Sequence, residues 1–154
     1  MGGKRVARIV VLHGPDLDKL GTREPEWYGR KTLEEIDEEI RSLVVALGYE
    51  AEIHQTNREE EMVRLLRDRG AGSAGVVLNA GAWTHSSVAV REAVASLDAR
   101  VVEVHMSNVY AREPFRRQSM IEDLVVGKIL GFGGESYLLA VRALDALAKK
   151  DEGK

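Results

Sequence analysis

The chain contains no cysteine, which excludes disulfide staples, thiolate nucleophiles and cysteine-ligated zinc or iron-sulfur sites together. Any bound metal would have to use His, Asp or Glu. Positive charge is not in excess either: 22 basic against 25 acidic side chains give a formal net charge of -3. Nucleic acid or an anionic membrane surface would need a basic field that this balance does not supply. No apolar run approaches the roughly 20 residues of a spanning helix. The stretch Met1-Gly2-Gly3-Lys4-Arg5 leads into a short apolar segment without a small-residue cleavage signal. A cytoplasmic protein with neither nucleic-acid nor membrane partners is expected. No G-x-G-x-x-G follows the first apolar run, no Walker A lysine or G-x-S-x-G elbow occurs, and the histidines lack helical metal-ligand spacing. The glycine-rich Gly131 to Gly134 falls late, before the last helix.

What is present is an ordinary globular composition, 44% hydrophobic and 31% charged over 154 residues, enough for one domain with a real core. The expected span is 5–149, with 1–4 and 150–154 as disordered ends. Ala7 to Leu12 (ARIVVL) reads as a strand buried on both faces. Thr32 to Leu47 carries Leu33, Ile36, Ile40, Leu43, Val44 and Leu47 at helical spacing, opens on a Thr32-x-x-Glu35 capping box and closes on Gly48. Further strands are expected at Ala51 to Gln55, Gly75 to Leu78, Arg100 to His105 and Lys128 to Phe132. Helices are expected at Glu59 to Arg69, Ser87 to Leu97 and Glu135 to Ala148. Five strands interleaved with helices imply an α/β fold in three layers, a doubly wound parallel sheet of flavodoxin-like order, with another open α/β topology as the alternative.

Ligands in such folds bind beyond the carboxyl ends of the strands. There the sequence places His13-Gly14-Pro15-Asp16, Asn79 to His85 (NAGAWTH) and His105 to Asn108 (HMSN), so three of the four histidines meet at one edge. Glu103 and His105, two apart on a strand, leave the same face, and a carboxylate beside an imidazole fixes its tautomer and suits a general acid. The same spacing also serves a buried structural hydrogen bond. The connection from His13 to Lys31, about 19 residues without clear regular structure, has the length of a lid or binding loop. It holds Arg23 and Tyr28. A phenol becomes a base only where cations favour its phenolate, and Arg23, Arg112 and Arg116 are candidates; a solvated loop with a packed tyrosine is the plainer alternative. Asn79, Gly81 and His85 precede a helix start whose free N–H groups can hold an anion or hydroxyl, although a cap and tight turn explain Gly81 equally well. Ser107 and the amide after Met106 offer a second anion cradle. His54 reads as a packing or surface residue, and Trp27 and Trp83 as core or cleft.

Assembled, these segments resemble the type II 3-dehydroquinate dehydratases. The likeness runs from Ile9 to about Leu147 through Gly14-Pro15, Leu20 to Gly29 (LGTREPEWYG), Leu78 to His85 (LNAGAWTH), Val102 to Val109 (VEVHMSNV), Ala111-Arg112 with Phe115-Arg116, and Ser136 to Ala140 (SYLLA). The resemblance implies a flavodoxin-like fold, a homododecamer built from trimers, no metal and no organic cofactor. It implies a hydro-lyase that converts 3-dehydroquinate to 3-dehydroshikimate by anti elimination, in the shikimate or quinate pathway. On that likeness Tyr28 is the base, Arg23 and Arg112 favour its phenolate, His105 is the general acid and Glu103 its orienting partner. Asn79, Gly81, His85 and Arg116 contact substrate, and Met106 and Ser107 receive its carboxylate.

Two departures stand out, because the family motif usually reads Asn-Gly-Pro-Asn where this chain has His13-Gly14-Pro15-Asp16. The second asparagine helps stabilise the enolate, and an ionised carboxylate cannot donate as an amide does. A charged Asp16 about 4 Å from the enolate oxygen would cost on the order of 4 kcal/mol at an effective dielectric of about 20, roughly a thousandfold in rate. Pairing with Arg23 or Arg112 would relieve it while disturbing the base. Glu92 stands where the family has an aspartate that reaches a neighbouring subunit's site. The alternatives carried by His13 and Asp16 are a homologous lyase with another cyclic substrate and a non-catalytic ligand-binding homologue.

Overall fold

A computed structural model of the chain describes residues 6–22 and 24–153. Its strands are β1 (Arg8–His13), β2 (Glu50–Gln55), β3 (Gly75–Asn79), β4 (Val101–His105) and β5 (Gly127–Leu130). All pair in parallel, in the order β2-β1-β3-β4-β5, which is the doubly wound flavodoxin-like arrangement. The helices are α1 (Pro25–Tyr28), α2 (Leu33–Ala46), α3 (Glu59–Leu65), α4 (Val88–Ala95) and α5 (Glu135–Glu152). Strand side chains alternate between faces, and the two sets have different covers. Ile9, Val11, Val77, Val102 and Val104 pack under α2 and α5 through Ile36, Ile40, Tyr137 and Leu144. Val10, Leu12, Val76, Leu78 and Val101 pack under α3 and α4 through Met62, Leu65, Val90 and Val94. Each such Leu, Ile or Val contributes roughly 1.5–3 kcal/mol by leaving water. No described helix is long and apolar enough to cross a membrane.

Local chemistry sets the boundaries. Thr32 and Glu35 close the expected capping box at the start of α2, and the Ser87 hydroxyl caps α4 by accepting from the Val90 amide at 2.9 Å. β1 begins and ends one residue later than the apolar run suggests, taking in His13 because both neighbouring strands pair with it, through Gln55 and Asn79. The second helical segment ends as α3 at Leu65 and continues as a π-helical turn over Leu66–Gly70. β5 stops at Leu130 rather than Phe132 because Gly131 turns the chain at φ 96°.

Two expectations need correction. Residues 150–152 are helical, since α5 runs to Glu152 with its last turns tied by Arg100 to Asp151 at 2.5 Å and Lys149 to Asp145 at 2.9 Å. The connection from His13 to Lys31 is not irregular throughout: it holds a 3-10 turn at Leu17–Lys19 and the short α1. Leu17, Leu20 and Tyr28 plug it into the core, and Pro25 presets the first turn of α1. The disorder expected for 1–4, like Arg23, lies outside the described residues.

At the sheet's other flank Glu52 gathers cations. Arg69 donates Nε and Nη2 to its two oxygens at 2.7 and 2.8 Å, Arg8 Nε reaches it at 3.2 Å, and His54 lies 2.8 Å away. The Arg69 hydrogen bond, against the opposing effect of burial and with help from His54, holds the Glu52 carboxyl down at about 2 instead of 4.5. A depressed carboxylate pKa gives stability that is complete above the unfolded value and disappears as pH falls through the folded one. Glu52→Gln is therefore expected to lower Tm at neutral pH, with the gap to wild type closing between pH 4.5 and about 2; an unchanged gap across that window in thermal melts would contradict it.

Candidate active site

Because the strands are parallel, the carboxyl ends of β1, β3 and β4 emerge together, and the turns after them enclose a cavity of about 200 Å³. That is below the usual range of roughly 300–1,000 Å³ for drug-sized ligands, so the guest is small. Close backbone approach builds the floor. Gly14 N donates to Asn79 O at 2.7 Å, and a Cβ at Gly14 would sit 2.5 Å from the Ala80 carbonyl oxygen. Asp16 is the only described non-glycine residue at positive φ, 66°, a conformation that Asp and Asn tolerate better than most.

One wall carries a phenol and a guanidinium. Arg112 Nη1 donates to Tyr28 Oη at 2.8 Å and to Ser107 Oγ at 3.1 Å. Its plane lies over Trp27 and Tyr28 at 4.8 and 5.2 Å, and Glu24 and Glu113 flank it at 3.7 and 4.0 Å. With only 4% of its side chain exposed, Arg112 is a fixed cation. A guanidinium hydrogen bond to a phenolic oxygen favours negative charge there.

The lining also carries an imidazole backed by a carboxylate. His105 and Glu103 meet at 2.6 Å, Nε2 to Oε2, leaving Nδ1 as the other ring position. Glu103 is completely buried, and Ser119 Oγ donates to its Oε1 at 2.9 Å while Lys128 Nζ stands 3.7 Å from Oε2. Burial pushes this carboxyl up, but the hydrogen bond and charge of His105, the charge of Lys128 and the Ser119 hydroxyl together hold it below its usual 4.5. His85 stacks on His105 with centroids 6.2 Å apart and donates from Nδ1 to the Gln118 carbonyl at 2.7 Å, so its Nε2 is an acceptor. Burial lowers the His85 pKa below 6.5, aided by the charges of His105 and Arg116 and opposed by the Gln118 hydrogen bond.

Of the residues singled out from sequence, Tyr28, Asp16, Asn79, Gly81, His85, His105, Met106, Ser107, Arg112 and Arg116 all line this cavity, with Glu103 directly behind His105. Glu92 is not among them; it is exposed on α4. Arg23 lies outside the described residues. Asp16 pairs with neither Arg112 nor Arg116 but with Lys19 at 3.3 Å, its side chain 58% exposed. Among the described residues no group of three or more His, Asp or Glu side chains converges as metal ligands would.

The family model "Dehydroquinase class II" matches residues 7–145. The chain belongs to that family. The 3-dehydroquinate dehydratase of Geotalea daltonii is 45% identical over 143 residues, covering 93% of this chain and 99% of that protein. That of Kineococcus radiotolerans is 47% identical over 137 residues, with 89% and 94% covered. The crystal structure of the type II dehydroquinase from Butyrivibrio crossotus has a TM-score of 0.88 at 36% identity, covering 91% of this chain and 98% of that one.

Around this class II dehydroquinase cavity several contacts escaped the sequence. Lys128 reaches Glu103 because β4 and β5 pair them in register, a fact no single-strand pattern contains. Ser119 comes from the turns after Pro114–Arg117, and Leu17 and Val109 add apolar lining. Proton NMR titration of His85 is expected to give a midpoint below 6.5, leaving it a neutral acceptor at neutral pH; a midpoint at or above that value would contradict the assignment.

Proposed function

We propose that this chain is a 3-dehydroquinate dehydratase, a hydro-lyase that removes water from 3-dehydroquinate by anti elimination through an enolate to give 3-dehydroshikimate. The observation that carries the reading is the meeting, in one small cavity, of a phenol held by a buried guanidinium and an imidazole held by a buried carboxylate. Tyr28, as phenolate, takes the proton from the carbon next to the ketone, and Arg112, with Arg23 from the loop, favours that charge. The electron pair left behind forms the enolate. His105 gives a proton from Nδ1 to the departing hydroxyl, which leaves as water, while Glu103 steadies the imidazolium. Arg116, His85 and Asn79 hold the ring hydroxyls, and Ser107 with the Met106 backbone holds the carboxylate. Loop closure over Tyr28 excludes water and protects the enolate. No cofactor enters this chemistry.

Residues 5–149 act as a single catalytic domain in the cytoplasm, within the shikimate pathway of aromatic amino acid biosynthesis or quinate breakdown. The assembly we propose is a dodecamer of trimers. Glu92 fits a role toward a neighbouring copy, because it is exposed on α4 one turn after Val88, itself 56% exposed. The readings of a changed substrate or a silent binding homologue lose their motive. His13 is bonded inside the fold, and Asp16, although among the cavity's lining residues, pairs with Lys19 with its side chain 58% exposed, where its charge is screened.

Mixing the protein with 3-dehydroquinate is expected to raise the ultraviolet absorbance of a conjugated enone. Tyr28→Phe and His105→Ala should each reduce turnover by about 10²–10⁴-fold with the fold intact. No absorbance rise from folded wild-type oligomer would refute the reading. Asp16→Asn is expected to change kcat by less than about tenfold; a gain near the thousandfold scale of direct enolate repulsion would show that the carboxylate faces the ring.

A further inference from the structure

His13 takes no part in that reaction, yet it is the one histidine with no exposed surface. It sits beside Asn79 across the β1–β3 ladder, and α5 lays the fully buried Tyr137 against both. Donors and acceptors in this cluster can be assigned in turn. The Gly81 amide donates to Asn79 Oδ1 at 3.2 Å, which orients the side-chain amide because a backbone N–H can only donate. Asn79 Nδ2 then donates to the Tyr137 oxygen at 2.9 Å. Burial pushes the Tyr137 hydroxyl well above its ordinary 10, so it keeps its proton, and the acceptor for that proton is His13 Nδ1 at 2.9 Å. His13 Nε2 consequently carries the ring proton and donates to Asp37 Oδ1 at 2.7 Å. The opposite tautomer would set Nδ1–H against a hydroxyl that already accepts from Asn79, leave the tyrosyl hydrogen without an acceptor, and turn a bare Nε2 toward a carboxylate.

We propose that His13 is a positioning residue: through Tyr137, and with Asp37 fixing its tautomer, it locks the Asn79 amide so that an N–H faces the cavity. Asn79 has two N–H bonds, and only Tyr137 takes one among the described residues. The other points the site toward a guest oxygen that accepts, such as a hydroxyl or carboxylate oxygen of a ring acid. A flipped amide would oppose its NH2 to the Gly81 N–H and offer the guest a carbonyl instead. The proposal rests on the dehydratase reading only for the identity of that guest.

A double-mutant cycle separates this role from plain core packing. Tyr137→Phe keeps the ring and removes the oxygen. It is expected to lower kcat/KM for 3-dehydroquinate by about ten- to a hundredfold, chiefly through KM. In an Asn79→Ala background the same change should cost less than about twofold, since its target is gone. Equal losses in both backgrounds would overturn the proposal. A second arm needs no substitution: ¹⁵N shifts of the His13 ring in the intact protein at neutral pH should show Nε2 protonated and Nδ1 bare, and a protonated Nδ1 would overturn it. Wild-type protein inert toward 3-dehydroquinate would refute the assigned reaction instead, and the ring tautomer would then decide the relay alone.

Discussion

A carboxylate with no exposed surface persists as an anion only while donors surround it, and Glu103 is such a group. Its oxygens are taken by His105, Ser119 and the approaching Lys128, three residues from β4, the following turns and β5. Satisfying Glu103 therefore fixes the imidazole plane, spends Nε2, and leaves Nδ1 for a guest. The imidazole is placed by an electrostatic requirement of the core rather than by a flexible contact at the surface. The sheet supplies the condition: only parallel pairing of Glu103 with Lys128 brings a counter-charge to that depth.

The phenol is held differently. Tyr28 belongs to a short helix in a loop, so its position depends on contacts made from outside that loop. Arg112 provides them, stacked on Trp27 and Tyr28 and bonded to Tyr28 and Ser107. The same guanidinium thus ties the loop to the turn after β4, just beyond His105. Glu103 and His105 sit in the core on β4, whereas the loop side joins the core through Leu17, Leu20 and Tyr28 and through the buried Arg112. That asymmetry fits the proposed reaction, in which a guest enters before the loop closes over it.

Much of this was legible in the residues. The capping box at Thr32 and Glu35, the alternation of apolar runs, and the polar turns after β1, β3 and β4 predict the sheet and the edge that matters. Glu103 and His105 share a face by simple periodicity, and their pairing follows. Tertiary information was needed elsewhere. The family resemblance made Asp16 a candidate to oppose an enolate, whereas here it pairs with Lys19 with its side chain 58% exposed. His13 read as a departure at the ligand edge, yet its partners Asp37 and Tyr137 lie 24 and 124 residues away, so no local pattern joins them. The loop's anchoring by Leu17 and Leu20 was hidden because so few apolar residues give no period.

In the proposed elimination, the Tyr28 phenol and the His105 imidazole act on opposite faces of one ring. The direct measurement uses 3-dehydroquinate carrying deuterium at only one of the two hydrogens of the methylene between the ketone and the carbon that loses its hydroxyl, with the product read by mass spectrometry. Opposed groups predict that a label anti to the departing hydroxyl is lost to solvent while a syn label stays in the product. Retention of the anti label, with loss of the syn one, would place base and acid on the same face and contradict the account.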